Sequence, residues 1–172
     1  MVLGAINDDS YNLVLVLHIL AAIVGFGAVF LNAIYGAQVR ARRGPEGLAI
    51  FQANFLVSNI ATYFIYAVFV FGFLLVLMSD DAWSFGDPWV WLSMLLYVVG
   101  VGLSHGVLRP NVKRMMVLME EMVAKGPDAH APGPPPQAAE MEARGKRVGA
   151  TSATLNVLLV VILYLMVFKP GA

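Results

Sequence analysis

Four long apolar stretches separated by shorter polar ones dominate the chain, near residues 11–35, 50–78, 88–109 and 150–168. Each is long enough to cross a hydrocarbon core, which takes about 20 helical residues. A closed β-barrel would show alternation in roughly ten-residue units. Segments such as "FVFGFLLVLM" and "LNVLLVVILYLMVF" do not alternate. The pattern therefore predicts an all-α integral membrane four-helix bundle. Asp87-Pro88 reads as the N-cap and first-turn residue opening the third span.

Between spans 3 and 4 the pattern changes. "PNVKRMMVLMEEMVAK" places Val112, Met115, Met119 and Met122 at i, i+3, i+7 and i+10, an apolar helical stripe. This amphipathic helix either extends span 3 beyond Pro110 or lies along the membrane surface. Methionines 115, 116, 119 and 122 read as an adaptable apolar contact face in preference to a copper(I) site. "GPDAHAPGPPPQ" then breaks the helix, giving a Pro/Gly linker over about 126–139 that contains a solvated His130. The whole chain, 1–172, reads as one transmembrane domain.

Charge sets an expected orientation. Ten of the eleven basic residues lie after span 1 (Arg40, Arg42, Arg43) or between spans 3 and 4, leaving Lys169 at the other end with Asp8, Asp9, Asp80, Asp81 and Asp87. The positive-inside rule gives an N-out, C-out protein of the plasma (inner) membrane with both basic loops cytoplasmic. Trp83, Trp89 and Trp91 suit an aromatic belt at the outer interface. The acidic N-terminus "MVLGAINDDSYN" does not resemble a cleavable signal peptide. Asp80 and Asp81 read as solvated loop residues.

Composition agrees: the chain is 59% hydrophobic and 13% charged, with a mean hydropathy of +0.76. Formal net charge is zero, which gives no sign of a nucleic-acid partner. The absence of cysteine excludes disulfides, iron–sulfur clusters and thiolate zinc sites. Gly-rich phosphate loops, metalloprotease motifs and nucleophile elbows are missing too.

The polar residues inside the spans are the candidates for chemistry. His18 lies about 10 Å below the outer end of span 1, with Tyr97 at a similar level. The other half is richer in polar groups: Asn32, Asn54, Ser58, Asn59, Thr62, Ser104, His105, Arg109, Thr151, Ser152, Thr154 and Asn156. These either line a pocket opening towards the cytoplasm or hydrogen-bond between helices. Arg109 stands at the boundary, where it can snorkel to phosphate headgroups. His18, Gly25 and Asn32 share one stripe at sevenfold spacing, expected to face the bundle. Gly-x-Gly recurs at Gly25/Gly27 and Gly100/Gly102, a faint sign of duplicated hairpins. Intramembrane ionisable residues are functional candidates, and imidazole ligates haem iron and copper. On an ideal bundle His18 and His105 differ in level by about 15 Å, which disfavours one haem ligated by both.

Two of these stretches resemble a known family. Span 1, with "LH" at Leu17-His18 followed by small and apolar residues and a basic loop, resembles the first helix of the bacterial four-helix protoporphyrinogen oxidase family. Span 3, "WVWLSMLLYVVGVGLSHGVLRPNVKRM", is similar to that family's third helix, which carries a "YHG" followed by arginines. The match puts His18 on the first-helix histidine, His105-Gly106 on the third-helix pair, and Arg109 or Arg114 on the following basic positions. The family's third-helix lysine, taken to be essential, is replaced by Ser93 or Met94. The same "LH" signature marks copper-resistance membrane domains and a group of uncharacterised small integral membrane proteins, to which the chain is most similar.

The expectation is a membrane protein binding haem b or a related tetrapyrrole, for electron transfer or cofactor handling. His18 and His105 would be metal ligands, and Tyr97, Asn32 and Arg109 further cofactor contacts. Whether a reaction is catalysed stays open. The alternatives are an accessory subunit of a larger, respiratory-type membrane complex and a small transporter or copper-handling protein. A homodimer or larger membrane complex is compatible with any of these.

Overall fold

A computed structural model describes residues 6, 8–42, 44–125 and 136–171. Helix α1 covers Asp9–Ala41, α2 Pro45–Leu77, α3 Pro88–Leu103, α4 Arg109–Lys125 and α5 Pro136–Phe168, and the described residues contain no strand. A π-helical turn over Ser104–Leu108 joins α3 to α4, so Pro88–Lys125 is one continuous helical run. Four helices are long and apolar enough to cross a membrane. The 33-residue helices α1, α2 and α5 are each about 50 Å long at 1.5 Å per residue. All three outrun a hydrocarbon core of about 30 Å.

Each helix continues past its apolar stretch, because helix formation needs only hydrogen-bonded backbone and good formers, not lipid. The stripe after Pro110 is thus an extension of span 3. Its residues Val112, Met115, Met119 and Met122 are half-buried, while Leu118, which completes the same face, is only 1% exposed. The linker expected over 126–139 overlaps α5, which starts at Pro136; Glu140 and Arg144 give that first part a one-turn ion pair. The rest of the linker, with His130, lies outside the described residues.

The described residues pack as two compact units: Met1–Phe30, Val57–Val99 and Leu158–Ala172 form the first, and Leu31–Leu56 with Gly100–Val157 the second. In the first, Trp89, Val90 and Leu165 form a buried cluster lined by Val76, Trp83, Leu92 and Met94. α1 and α2 meet through small residues, with Ala21, Gly25 and Ala61 all buried. A Cβ on Gly25 would stand 3.0 Å from both the Ile65 backbone nitrogen and its Cγ1, so glycine permits this approach. Outward-facing residues such as Ile23, Tyr63 and Val167 are large, apolar and exposed, as a lipid-covered surface requires.

The α2–α3 connection is organised by Ser79, whose Oγ accepts from the Trp83 N–H at 3.1 Å and lies 2.8 Å from the Val76 carbonyl. Asp87 does open α3, its carbonyl accepting from Val90 and Trp91 N–H. Its carboxylate, however, caps the preceding turn, accepting from Ser84 N–H at 2.8 Å. The expected aromatic belt is divided. Trp91 is exposed, whereas Trp83 and Trp89 pack edge to face with Lys169 Nζ 3.8 Å over the Trp83 ring. The isolated basic residue of that end is therefore held against aromatic faces.

In the second unit, α1 turns into α2 at Gly44, whose φ of +75° suits glycine. α4 and α5 run side by side through a polar ladder. Glu140 accepts from Arg114 Nε at 3.2 Å and Arg144 Nε at 2.9 Å, and Arg144 Nη1 donates to Asn111 Oδ1 at 3.0 Å. Gln52 Nε2 adds a 3.1 Å bond from α2 to Glu120.

Candidate functional site

The first unit positions two of the five candidate residues, and both engage the backbone of α2. His18 Nδ1 lies 3.0 Å from the Val68 carbonyl. A carbonyl only accepts, so Nδ1 carries a proton and donates, and Nε2 points away from this bond. Nε2 makes no hydrogen bond among the described residues. Tyr97 OH donates to the Ile65 carbonyl at 2.9 Å, and its ring stacks on Phe69 with centroids 5.1 Å apart. Ile65 and Val68 are one turn apart, so His18 from α1 and Tyr97 from α3 address neighbouring carbonyls of the same helix.

Gly72 makes the histidine contact possible. Its N–H belongs to the turn above Val68, and a Cβ there would come 3.1 Å from His18 Cε1 and 3.5 Å from Nδ1. The imidazole thus lies where any side chain at 72 would intrude. Gly25, two turns further along α1, fixes the same helix pair against Ile65 and Phe64. The stripe expected on α1 faces α2 at both His18 and Gly25. Asn32 belongs to the second unit and is half-buried.

His105 and Arg109 also belong to the second unit, bonded to one another. His105 Nδ1 is 2.9 Å from the Val101 carbonyl and its Nε2 is 3.1 Å from Arg109 Nη1. Nδ1 therefore donates to its own helix, while Nε2 accepts from the guanidinium. Both ring nitrogens are engaged, so His105 would have to release Arg109 before it could ligate a metal. The two histidines lie in different units, each bonded within its own. No group of three or more His, Cys, Asp or Glu side chains clusters as a metal site among the described residues.

The sequence reading missed the α2 contribution altogether. Backbone carbonyls of Ile65 and Val68 leave no trace in residue identity. Gly72 does: a lone glycine in "FVFGFLLVL" marks a close approach to that helix. The second unit also contains two acceptors, Asn54 Oδ1 and Asn156 Oδ1, buried without hydrogen-bond partners among the described residues. Outside the apolar stretch of α5, hydrogen bonds from Arg114 and then Arg144 hold the Glu140 carboxyl below its ordinary range.

Four membrane-length helices and outward apolar surface define the class as a four-span integral membrane protein. The chain belongs to the predicted integral membrane protein family DUF2269, whose family model matches residues 12–170. No curated protein and no solved structure matches it.

Proposed function

We propose that the protein binds haem b or a related tetrapyrrole through His18, in a bundle lying N-out and C-out in the plasma membrane with its basic loops cytoplasmic. The observation carrying this reading is the orientation of the His18 ring. An imidazole whose Nδ1–H is fixed on a backbone carbonyl presents Nε2 in the tautomer a metal ligand needs, as ligating histidines do. Gly72 keeps the ring seated, and the Tyr97–Ile65 bond secures α3 to the same part of α2. A single imidazole suits a tetrapyrrole better than a bare copper ion, because the macrocycle supplies four nitrogens of its own while copper needs several protein ligands.

When bound, such a group supplies one-electron redox chemistry. The chain's own part is to fix the ring through Nδ1, leaving Nε2 as the available ring nitrogen, and to keep the site among apolar helices. His105, tied to Arg109, is assigned no ligand role. The test is an absorption spectrum of protein purified in mild detergent with haem supplied. A Soret band that survives His105→Ala and disappears in a folded His18→Ala variant is expected. No Soret band in the wild type, or one that His18→Ala retains, overturns the proposal.

A further inference from the structure

Two polar side chains of the first unit are buried without a protein partner. Trp89 is 6% exposed and Ser93 2% exposed, and neither Trp89 Nε1 nor Ser93 Oγ makes a hydrogen bond among the described residues. They stand one turn apart on the same face of α3. Hydroxyls elsewhere in the spans satisfy themselves on the carbonyl one turn back: Thr62 donates to Ser58 at 2.8 Å and Thr154 to Ala150 at 3.1 Å. Ser93 makes no such bond to Trp89. The cluster around Trp89 includes Val76, Val90, Leu92 and Leu165, whose side chains cannot hydrogen-bond.

A third donor lies beside them. Lys169 Nζ is 3.8 Å over the Trp83 ring and 5.5 Å from the Trp89 ring centroid. It has no carboxylate partner among the described residues. Asp87, the acid next to α3, already accepts from the Ser84 N–H. Trp89 Nε1 and the Lys169 ammonium only donate, and the Ser93 hydroxyl has a proton to donate as well. The three groups therefore call for acceptors, from a cation just past α5 to two neutral donors in the first turns of α3.

We propose that this side of α3 binds a quinone ring, with one carbonyl oxygen accepting from Trp89 Nε1 and Ser93 Oγ and the other facing Lys169. An anionic headgroup suits Lys169, but carrying its charge inward to Trp89 and Ser93 leaves it beside neutral donors only, at a high desolvation cost. A quinone brings two neutral acceptors on opposite edges of one flat ring. Flatness matters because Trp83 and Trp89 already meet edge to face with centroids 5.4 Å apart. A single ring enters between packed side chains with less displacement than the glycerol and two acyl chains of a phospholipid. Binding here requires no tetrapyrrole on His18.

The full chain in detergent, titrated with decylubiquinone, tests this. Saturable quenching of tryptophan emission and a raised melting temperature are expected. Decylbenzene, which has the tail and a ring without carbonyls, should leave the melting temperature unchanged. Ser93→Ala should weaken decylubiquinone about fivefold, the usual net worth of one neutral hydrogen bond. Trp89→Phe, followed by the melting shift, should weaken it by a similar factor, and Ser93→Ala alone carries the test if circular dichroism shows that Trp89→Phe misfolds. Without quinone, Ser93→Ala should melt no lower than wild type, since it deletes a hydroxyl that has no protein partner. Quenching that never saturates, an equal melting shift from decylbenzene, or unchanged affinity in folded Ser93→Ala each overturn the proposal. A lower melting temperature of quinone-free Ser93→Ala does so too, because the hydroxyl would then be satisfied by an internal water. Displacement of decylubiquinone by dioleoylphosphatidylcholine also overturns it, assigning the donors to a lipid ester carbonyl.

Discussion

Replacing Gly72 by alanine should disturb His18 while leaving the fold almost equally stable. The new Cβ would stand 3.1 Å from His18 Cε1, and carbon atoms prefer about 3.5–4.0 Å. The ring must therefore retreat by about 0.4 Å or more, stretching an Nδ1–O separation that is now 3.0 Å. N–H···O bonds weaken beyond about 3.2 Å, so most of the bond's net value of about 0.5–1.5 kcal/mol is lost. Alanine in place of glycine within a helix returns about 0.5–1 kcal/mol. The two changes nearly cancel, and net stability should stay within about 1 kcal/mol of wild type. Nitrogen-15 NMR of histidine-labelled protein in micelles isolates the effect, because the chain has only three histidines. Wild-type His18 should show a protonated, exchange-protected Nδ1 and a basic Nε2. Gly72→Ala should shift or broaden that Nδ1–H signal, and Tyr97→Phe should leave it in place. A wild-type His18 protonated on Nε2, or a Gly72→Ala spectrum identical to wild type, would refute the reasoning.

Further outcomes follow from the two ends of the helices. Glu140, held below its ordinary value of 4.5 by Arg114 and Arg144, stabilises the α4–α5 ladder at pH values above that ordinary value. This contribution is lost as pH falls through the lowered folded value. Protease resistance of the α4–α5 region should accordingly fall as the pH drops below 4.5 more steeply in wild type than in Glu140→Gln; parallel profiles would exclude this role. At the other end, Lys169→Ala should cost about 0.5–1 kcal/mol through its lost contact with Trp83 and change tryptophan emission. Lys169→Arg should retain both, and an unchanged melting temperature in the alanine variant would show that the contact contributes nothing.

The spans were legible because lipid demands an unbroken apolar run, and the runs beginning at 50 and 88 lie within five residues of where α2 and α3 start. The helix ends were less legible. α5 begins fourteen residues before its apolar stretch, since charged residues such as Glu140 and Arg144 support a helix in water as well as apolar ones do in lipid. His18 could be singled out as an ionisable group in apolar chain, and Gly25 as its companion on one face. Their partner could not, because the groups meeting His18 and Tyr97 are main-chain carbonyls that every residue carries. Trp89 looked like an interfacial residue, yet it is buried beside Trp83, an outcome decided by the fold of the α2–α3 connection.

The π-turn at Ser104–Leu108 has a consequence for how this chain is aligned and engineered. Pro110 has no N–H to donate, and the Arg109 N–H reaches back five residues to the Ser104 carbonyl. The run Pro88–Lys125 therefore contains one residue more than an uninterrupted α-helix of the same rise. A 3.6-residue periodicity carried across it arrives about 100° out of phase. Deleting one residue within 104–108 would let the helix close into regular α geometry and turn α4 by about 100° relative to α3. The basic residues of relatives lacking that residue should be compared with this chain's by position around the helix and not by distance along the sequence.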